Sequence, residues 1–446
     1  MKSSIKLTLS KPTLLFCCIF FASSWWQSAS AEDLLQVYEL ARKNDAQLMI
    51  AESNYLAAIQ AVPLAESANL PQLSLSGTAS ARESDGSSSG SNSSTNAGYS
   101  VNLTQSLFNK ENDGNINVAE ANSAAELALL KSARQDLILR VAQAYFNILA
   151  AKDNVEFTYA ERNAIARQLE EAQKRFEVGL IAITDVYEAQ ASFDNSEAQV
   201  ILAENILENA FQSLSLLTAD NSIKNLTPLG EDLLLTLPNP ASVESWVLLA
   251  LENNLDLLAA QQNLNAARYE RDKSNSNRYP TVGLFAAYEH KEDDDDLLAD
   301  STRKDAIIGV EMSIPIYAGG RIPSERAQAE SRYVSAQNTL LLQNRLAVQQ
   351  SRTTFLDVVS GISQVQALKQ AFESSKIALE ATQAGFEVGT RTSVDVLISL
   401  RETYRTQRDY AGARYQYVLN KLRLKQAAGI LQEEDLVEVN KLLTDL

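Results

Sequence analysis

The sequence predicts an α+β membrane protein in which four strands are carried on unusually long helices. Three observations support this fold class. The chain contains two copies of one unit, which consists of a helix, a strand pair and a further helical part. Its strand segments alternate apolar and polar residues. Residues 109–227 and 324–446 contain no proline. Helices can run far in such stretches, because proline is the residue that ends a helix most strongly.

An internal repeat divides the chain. Arg175-Phe-Glu-Val-Gly179 is followed by Asp185, and Gly385-Phe-Glu-Val-Gly389 is followed by Asp395 at the same distance, 210 residues later. Three prolines between the copies interrupt any helix there. We therefore expect, in chain order, a signal peptide at 1–31, repeat one at 32–219, a linker at 220–241, repeat two at 242–429 and a C-terminal tail at 430–446.

Each repeat contains one pair of predicted strands, and the pairs cover residues 72–82 with 98–108 and 281–289 with 305–317. Apolar side chains recur at every second position, as at Leu73 and Leu75, with small or polar residues between them. This period of two predicts strands with one apolar and one polar face. The stretches inside the pairs, 83–97 and 290–304, are rich in Ser, Gly, Asn or acidic residues, and we expect them to be polar surface loops.

The remaining segments are predicted helices. Residues 110–178 would form an arm of about 100 Å, and Gly179 would lie in the turn that sends the chain back. The shorter return arm and the short helix before the strands would stack end to end against it. In repeat two, apolar residues recur at spacings of three, four and seven, which is typical of a coiled-coil seam. These residues are Phe355, Val358, Ile362, Val365, Phe372, Leu379 and Phe386.

Four strands are too few to cross a membrane alone. Lipid offers no hydrogen-bond partners, so a spanning sheet must close on itself, and the smallest outer-membrane barrels use eight strands. If the apolar strand faces contact lipid, other copies of the chain must complete the barrel. The alternative is a periplasmic structural coiled-coil scaffold without pore activity, which leaves the alternating segments unexplained.

The amino terminus predicts export. Three lysines accompany an apolar run, and Ala29-Ser30-Ala31 fits the small-x-small pattern of signal-peptide cleavage. Both cysteines of the chain, Cys17 and Cys18, lie in this segment, so we expect neither a disulfide nor thiolate chemistry in the mature protein. The formal net charge of −17 argues against nucleic acid as a partner.

An enzyme is not expected. The single histidine, His290, lies in an acidic stretch, and the sequence has no HExxH, P-loop or nucleotide fingerprint. Residues 292–296 are acidic, but they lack the spacing of an EF-hand and are expected to be solvated. The sequence therefore predicts no cofactor and no metal site.

Several motifs resemble the TolC family of outer-membrane efflux and secretion channels. They follow in order across essentially the whole mature chain, as Val101-Asn-Leu-Thr-Gln-Ser-Leu-Phe108, Ala144-Tyr-Phe-Asn147, Ala182-Ile-Thr-Asp-Val186, Ser313-Ile-Pro-Ile-Tyr317 and Val388-Gly-Thr-Arg-Thr392. The resemblance implies a Gram-negative outer-membrane location and a homotrimer with a twelve-stranded barrel and a periplasmic helical tunnel. It also implies docking to a periplasmic adaptor (membrane fusion) protein and an inner-membrane RND or ABC transporter. The resemblance implies drug efflux and type I protein secretion as functions of such a channel, and the sequence does not distinguish between them.

The resemblance also implies a latch at the inner end of the tunnel. By motif position, Arg391 would pair with Asp185 and Thr184. Phe386 stands where the family has a hydrogen-bonding tyrosine, so closure would rest more heavily on Arg391. Gly179 and Gly389 would be the turn residues of the two helical hairpins.

Asp395 would belong to an acidic ring at the constriction of the tunnel. The second aspartate of the family, three residues on, is replaced here by Ile398, so the ring would carry three carboxylates per trimer instead of six. Three like charges on an axis still select cations and raise one another's pKa. We expect weaker block by multivalent cations than with six carboxylates.

Overall fold

The computed structural model describes residues 32–86, 90–231, 233–295 and 298–444. The predicted signal peptide lies outside these residues. The helices are α1 (Leu34–Asn44), α2 (Ala46–Glu66), α3 (Lys110–Glu177), α4 (Ile183–Thr218), α5 (Val243–Asn253), α6 (Leu255–Ser276), α7 (Arg321–Glu387), α8 (Ser393–Ala427) and α9 (Glu433–Asn440). The strands are β1 (Gln72–Gly86), β2 (Gly90–Phe108), β3 (Thr281–Asp295) and β4 (Leu298–Ser313).

Both halves of the chain have the same order of elements. Each has two short helices, two strands, a long helix and a shorter return helix. The long helices α3 and α7 contain 68 and 67 residues, which corresponds to about 100 Å each. Glycine turns connect α3 to α4 and α7 to α8, at the end of the molecule far from the strands.

The short helices cover the long ones in two tiers. Near the strands, α2 and α6 pack on α3, and α6 also packs on α7; toward the far end, α4 and α8 pack on α3, and α8 packs on α7. The tiers meet halfway along. There the side-chain amide of Asn44 donates to the carbonyl oxygen of Thr218 at 2.8 Å, and Asn254 donates to the carbonyl oxygen of Ala427 at 3.1 Å. The predicted end-to-end stacking of short helices is therefore present in both halves.

The largest buried cluster lies at this junction of the tiers, where the middle of α3 meets α1, α8 and α9. Two tyrosines fasten the linker between the halves to it. The Tyr145 hydroxyl donates to the carbonyl oxygen of Thr227 at 2.8 Å, and the Tyr417 hydroxyl donates to that of Thr236 at 2.9 Å. The linker thus wraps the middle of the helical body.

The four strands form one antiparallel sheet in the order β1-β2-β3-β4. The outer edges of β1 and β4 have no strand partner within the described chain. No helix in the described part of the chain has an apolar stretch long enough to cross a bilayer.

The strands are longer than the sequence pattern predicts. β1 extends to Gly86 and β2 begins at Gly90, while β3 extends to Asp295 and β4 begins at Leu298. The expectation of long polar loops at 83–97 and 290–304 is therefore wrong. Backbone hydrogen bonds continue the ladder whatever the side chains are, so polar residues can follow apolar ones within a single strand. At its other end β4 stops at Ser313, two residues before Pro315, which has no amide to donate.

A buried ion pair fixes the bend between α1 and α2. Asp45 ends α1 and begins α2, where its Oδ1 accepts from the Leu48 amide at 2.8 Å. The guanidinium of Arg140 on α3 donates to both carboxylate oxygens of Asp45, at 2.8 and 2.9 Å, and to Asp136 at 2.6 Å. Hydrogen bonding from Arg140 lowers the pKa of the Asp45 carboxyl. Repeat two has the uncharged Asn254 in the same capping position.

Replacing Asp45 with Asn keeps the capping oxygen and removes the charge. We expect the free energy of unfolding at pH 7 to fall by about 2–3 kcal/mol, because Arg140 loses a buried counter-ion. The loss is measured by thermal unfolding in detergent, followed by circular dichroism. Asp136→Asn is the matched control and should cost less than about 1 kcal/mol, since Asp136 is half exposed. Equal losses from the two variants would contradict this assignment.

The effect of Asp45 should depend on pH. Folding lowers the pKa of this carboxyl, so its stabilisation is fully present above the unfolded pKa of about 3.9 and is lost as the pH falls toward the folded value. The stability difference between wild type and Asp45→Asn should therefore vanish in melts recorded well below about pH 4. A difference that stays constant down to low pH would show that the charge is not responsible.

Candidate functional site

The two helical turns far from the strands are built alike. Gly179 and Gly389 have φ values of +77° and +79°, a region of backbone conformation that favours glycine. Each accepts the sharp reversal between a long helix and its return helix. The sequence-predicted site residues all lie within a few residues of these two turns.

Asp395 is held by its own helix. Thr392 and Asp395 form a capping box at the start of α8: the Thr392 hydroxyl accepts from the Asp395 amide at 3.2 Å, and the Asp395 carboxylate accepts from the Thr392 amide at 2.9 Å. The Thr392 hydroxyl also donates to the carboxylate at 2.9 Å. Hydrogen bonds from the backbone and side chain of Thr392 lower the pKa of Asp395, with a smaller contribution from the Arg391 charge. Within one chain this carboxylate is therefore kept ionised.

The equivalent turn of repeat one lacks this cap. Ala182 stands where repeat two has Thr392, and it makes no side-chain capping bond to α4. Asp185, the equivalent of Asp395, has no side-chain hydrogen bond or ion pair within the described residues and is partly exposed.

Among the described residues of one chain, the predicted latch is not assembled. Arg391 and Thr184 are exposed, and in the described part of the chain the Arg391 guanidinium has no hydrogen bond or ion pair. Arg391, Thr184 and Asp185 nevertheless belong to the same end of the molecule, since each lies within six residues of a turn glycine.

Phe386 has a partner that the sequence pattern does not predict. Its ring is 9% exposed, and the guanidinium carbon of Arg175 lies 4.2 Å from the ring centroid. Arg175 belongs to the last turn of α3, whereas Phe386 belongs to the last turn of α7. Both residues were visible in the repeated motif, but no sequence rule connects positions 211 residues apart.

A polar and apolar seam joins α3 to α8. The Tyr415 hydroxyl donates to the Asp153 carboxylate at 2.6 Å, and the Arg408 guanidinium donates to Glu161 at 2.8 Å. Closer to the turns the seam becomes apolar, through a buried cluster that contains Ile165, Leu169, Leu397 and Leu400. The second helical hairpin is thereby held along the first.

The sheet carries an apolar face with an aromatic border. Leu75 pairs with Val101, which pairs with Tyr288 on β3. Leu75 and Ile308 remain 74% and 75% exposed. Tyr99 lies two residues before Val101 on β2 and pairs with His290. Its ring centroid lies 6.2 Å from that of Tyr288 and 5.2 Å from that of His290. An exposed apolar band ending in aromatic rings is the arrangement expected at a lipid–water boundary.

The acidic end of β3 carries a side-chain hydrogen bond and an ion pair. His290 lies 3.2 Å from Glu292, and Lys291 lies 3.0 Å from Asp293. No group of side chains suited to hold a metal ion is found among the described residues.

The chain matches the outer membrane efflux protein family over residues 37–220 and 246–430. It belongs to this family. It is 38% identical over 413 residues to the outer membrane protein TolC of Vibrio cholerae, covering 92% of this chain and 93% of that protein. It is 28% identical over 422 residues to the alkaline protease secretion protein AprF of Pseudomonas aeruginosa, covering 92% and 87%. The crystal structure of the outer membrane protein VceC of Vibrio cholerae matches with a TM-score of 0.74 at 22% identity, covering 89% of this chain and 96% of that one.

The family membership confirms the predicted fold class, location and function. Four strands and long helices in each chain are a fold shared with the outer membrane protein VceC. The protein is a Gram-negative outer-membrane exit duct of the efflux type, with its helical tunnel in the periplasm. The family consists of transport channels and is not a family of enzymes.

Substitutions at the two helix caps should have opposite effects on local stability. Thr392→Ala should destabilise the start of α8 by about 1 kcal/mol and raise the pKa of Asp395 toward its usual value. Ala182→Thr should stabilise the start of α4 by a similar amount, because Asp185 already stands where the reciprocal bond of a capping box needs it. Hydrogen exchange of the amides at 183–187 and 393–397 measures both effects. Unchanged exchange at 393–397 in Thr392→Ala would contradict the capping role.

Proposed function

We propose that the protein is a passive trimeric conduit whose periplasmic end is closed at rest and is opened by partner proteins. The observation that carries this proposal is the four-stranded sheet with an exposed apolar face, mounted on helices about 100 Å long. A scaffold without a pore has no use for such a face. The two halves of the chain then act as structural repeats, each contributing two strands and one full-length hairpin to the wall.

The trimer follows from the edges of the sheet. β1 and β4 each leave a row of backbone groups unpaired, and the cost of exposing them to lipid is several kcal/mol per group. Pairing β4 of one copy with β1 of the next removes both edges. Three copies give twelve strands, the number implied by the family resemblance.

The partners proposed for this conduit are a periplasmic adaptor protein and an inner-membrane transporter of the RND or ABC type. The resemblance to AprF, which is named for alkaline protease secretion, supports protein export. The resemblance to TolC supports the same exit-duct role. The conduit itself catalyses no reaction, so the transporter supplies the driving force and selects the substrate.

The latch is proposed to form between copies. Arg391 and Asp185 carry opposite charges, are both unpaired in the described single chain, and lie at the same end of the molecule. Pairing of Arg391 with Thr184 and Asp185 of the neighbouring copy satisfies both charges at once. Asp395, which its capping box keeps ionised, provides the proposed carboxylate ring of the constriction.

Two substitutions test this proposal in planar bilayers. We expect the wild type to form small, cation-selective channels. Arg391→Ser should enlarge the conductance, because the latch between copies loses its cation. Asp395→Ala should reduce cation selectivity, because the ring loses its three carboxylates. Single-channel conductance and reversal potentials in a salt gradient measure the two effects.

Three results would contradict the proposal. A folded, detergent-extracted oligomer without any channel activity would favour the periplasmic scaffold. Unchanged conductance in Arg391→Ser would remove Arg391 from the latch, and unchanged selectivity in Asp395→Ala would remove Asp395 from the constriction.

A further inference from the structure

The contact between Arg175 and Phe386 bridges two long helices at their tips. α3 packs along α2, α4, α6 and α8, whereas α7 packs along α5, α6 and α8. The helices α6 and α8 each pack on both α3 and α7. At the turns, the Arg175 guanidinium lies 4.2 Å from the centroid of the Phe386 ring, which is well within the range of a cation–π interaction. The contact therefore ties the tip of the first hairpin directly to that of the second.

Both members of the pair are positioned by their surroundings. The Glu171 carboxylate, one helical turn before Arg175, holds its guanidinium at 2.6 Å. Phe386 is 9% exposed, whereas Phe176, the equivalent residue of repeat one, is 41% exposed. A phenylalanine near the solvated tip of a long helix is buried only if another group covers it. Arg175 is one group that lies over its ring.

The two repeats differ at these positions in a complementary way. Repeat two has Gly385 where repeat one has Arg175, and repeat one has Ile181 where repeat two has Arg391. A side chain at 385 would meet the Arg391 side chain, since an added Cβ would lie 2.8 Å from its Cγ. Gly385 therefore leaves room for Arg391 to cross the turn. Each hairpin thus carries one of these two arginines near its turn. Arg175 precedes its turn in the sequence, whereas Arg391 follows its own.

We propose that Arg175 and Phe386 form a second latch, within each protomer, which holds the two hairpin tips together in the closed channel. This inference rests on the proposed closure of the periplasmic end and adds a residue and a mode of contact to it. Arg175 is a positioning residue that acts on the pore through the second hairpin. A phenylalanine has no hydroxyl to donate, but the face of its ring attracts a cation. The pair can therefore hold the end of α7 against the end of α3 without a hydrogen bond.

The two latches should respond differently to salt. The Arg391 charge is exposed, and interactions between exposed charges are largely screened at high ionic strength. Arg175 faces a buried ring and is itself about three-quarters covered, so its contact with Phe386 is screened less. Raising the salt should weaken the contribution of Arg391 and leave most of the contribution of Arg175.

The test measures single-channel conductance and open probability of the full-length trimer. Arg175→Met keeps the length of the side chain without the charge, and Phe386→Leu keeps an apolar side chain without the ring. Each should raise the ratio of open to closed channels roughly two- to fivefold per protomer. The double variant should open no further than either single variant, because both remove the same contact. Phe386→Tyr and Arg175→Lys retain a ring or a cation and should restore most of the closure.

Arg162→Met is the matched control. Arg162 lies 5.5 Å from the centroid of the Phe193 ring, but it joins α3 to α4 within a single hairpin. Its loss should leave the gating unchanged while lowering stability to a similar extent. Melting temperatures of all variants, recorded in parallel, separate a loss of stability from a loss of closure.

The possible outcomes separate this inference from the proposed function. Wild-type channels that open in Arg391→Ser but not in Arg175→Met would overturn the second latch alone. Additive opening in the double variant, or equal opening in Arg162→Met, would also overturn it. Opening in Arg175→Met that persists between about 0.1 M and 1 M salt, while the effect of Arg391→Ser declines, would support it. A wild type without channels would instead contradict the proposed function.

Discussion

The hydrogen-bonding requirement of a sheet in lipid controls the architecture of this protein. Each backbone amide and carbonyl in the bilayer needs a partner, yet the sheet of one chain ends in two open edges, β1 and β4. Closure therefore depends on copies, and each copy must present identical edges at the correct spacing. The helical body makes this possible. β2 leads into α3 and β4 leads into α7, and these two long helices are joined by α6 and α8, which pack on both. The apolar outer face and its aromatic border then set the depth of the barrel in the membrane.

Helix α3 is the central element of that wall. It packs against two short helices near the strands and against two return helices toward the turns, so it joins both tiers and both halves of the chain. Its polar contacts change along its length. Arg140 holds the bend between α1 and α2, Asp153 and Glu161 hold α8, and Arg175 covers Phe386 at the tip. A single helix thereby connects the level of the tier junction to the level of the turns.

The repeats have the same fold but different side chains at several equivalent positions, both buried and exposed. Asp45 is matched by Asn254, Ala182 by Thr392 and Arg175 by Gly385. Each difference places a charge or a capping hydrogen bond in only one of the two repeats. In the second hairpin, Asp395 is bound to its own helix cap, while in the first, Asp185 has no such cap. The two turns therefore hold their equivalent aspartates in different ways.

The sequence by itself determined the repeat, the strand pairs, the long helices, the glycine turns and the family, because these depend on local periods and on motifs read along the chain. It underestimated the strands, since the polar residues of 83–97 gave no sign that the backbone ladder continues through them. Only the tertiary structure decided that Arg175 lies over the Phe386 ring and that the Arg391 guanidinium forms no hydrogen bond or ion pair with the described part of its own chain. Those outcomes depend on how distant helices align over about 100 Å, and no local pattern records that alignment.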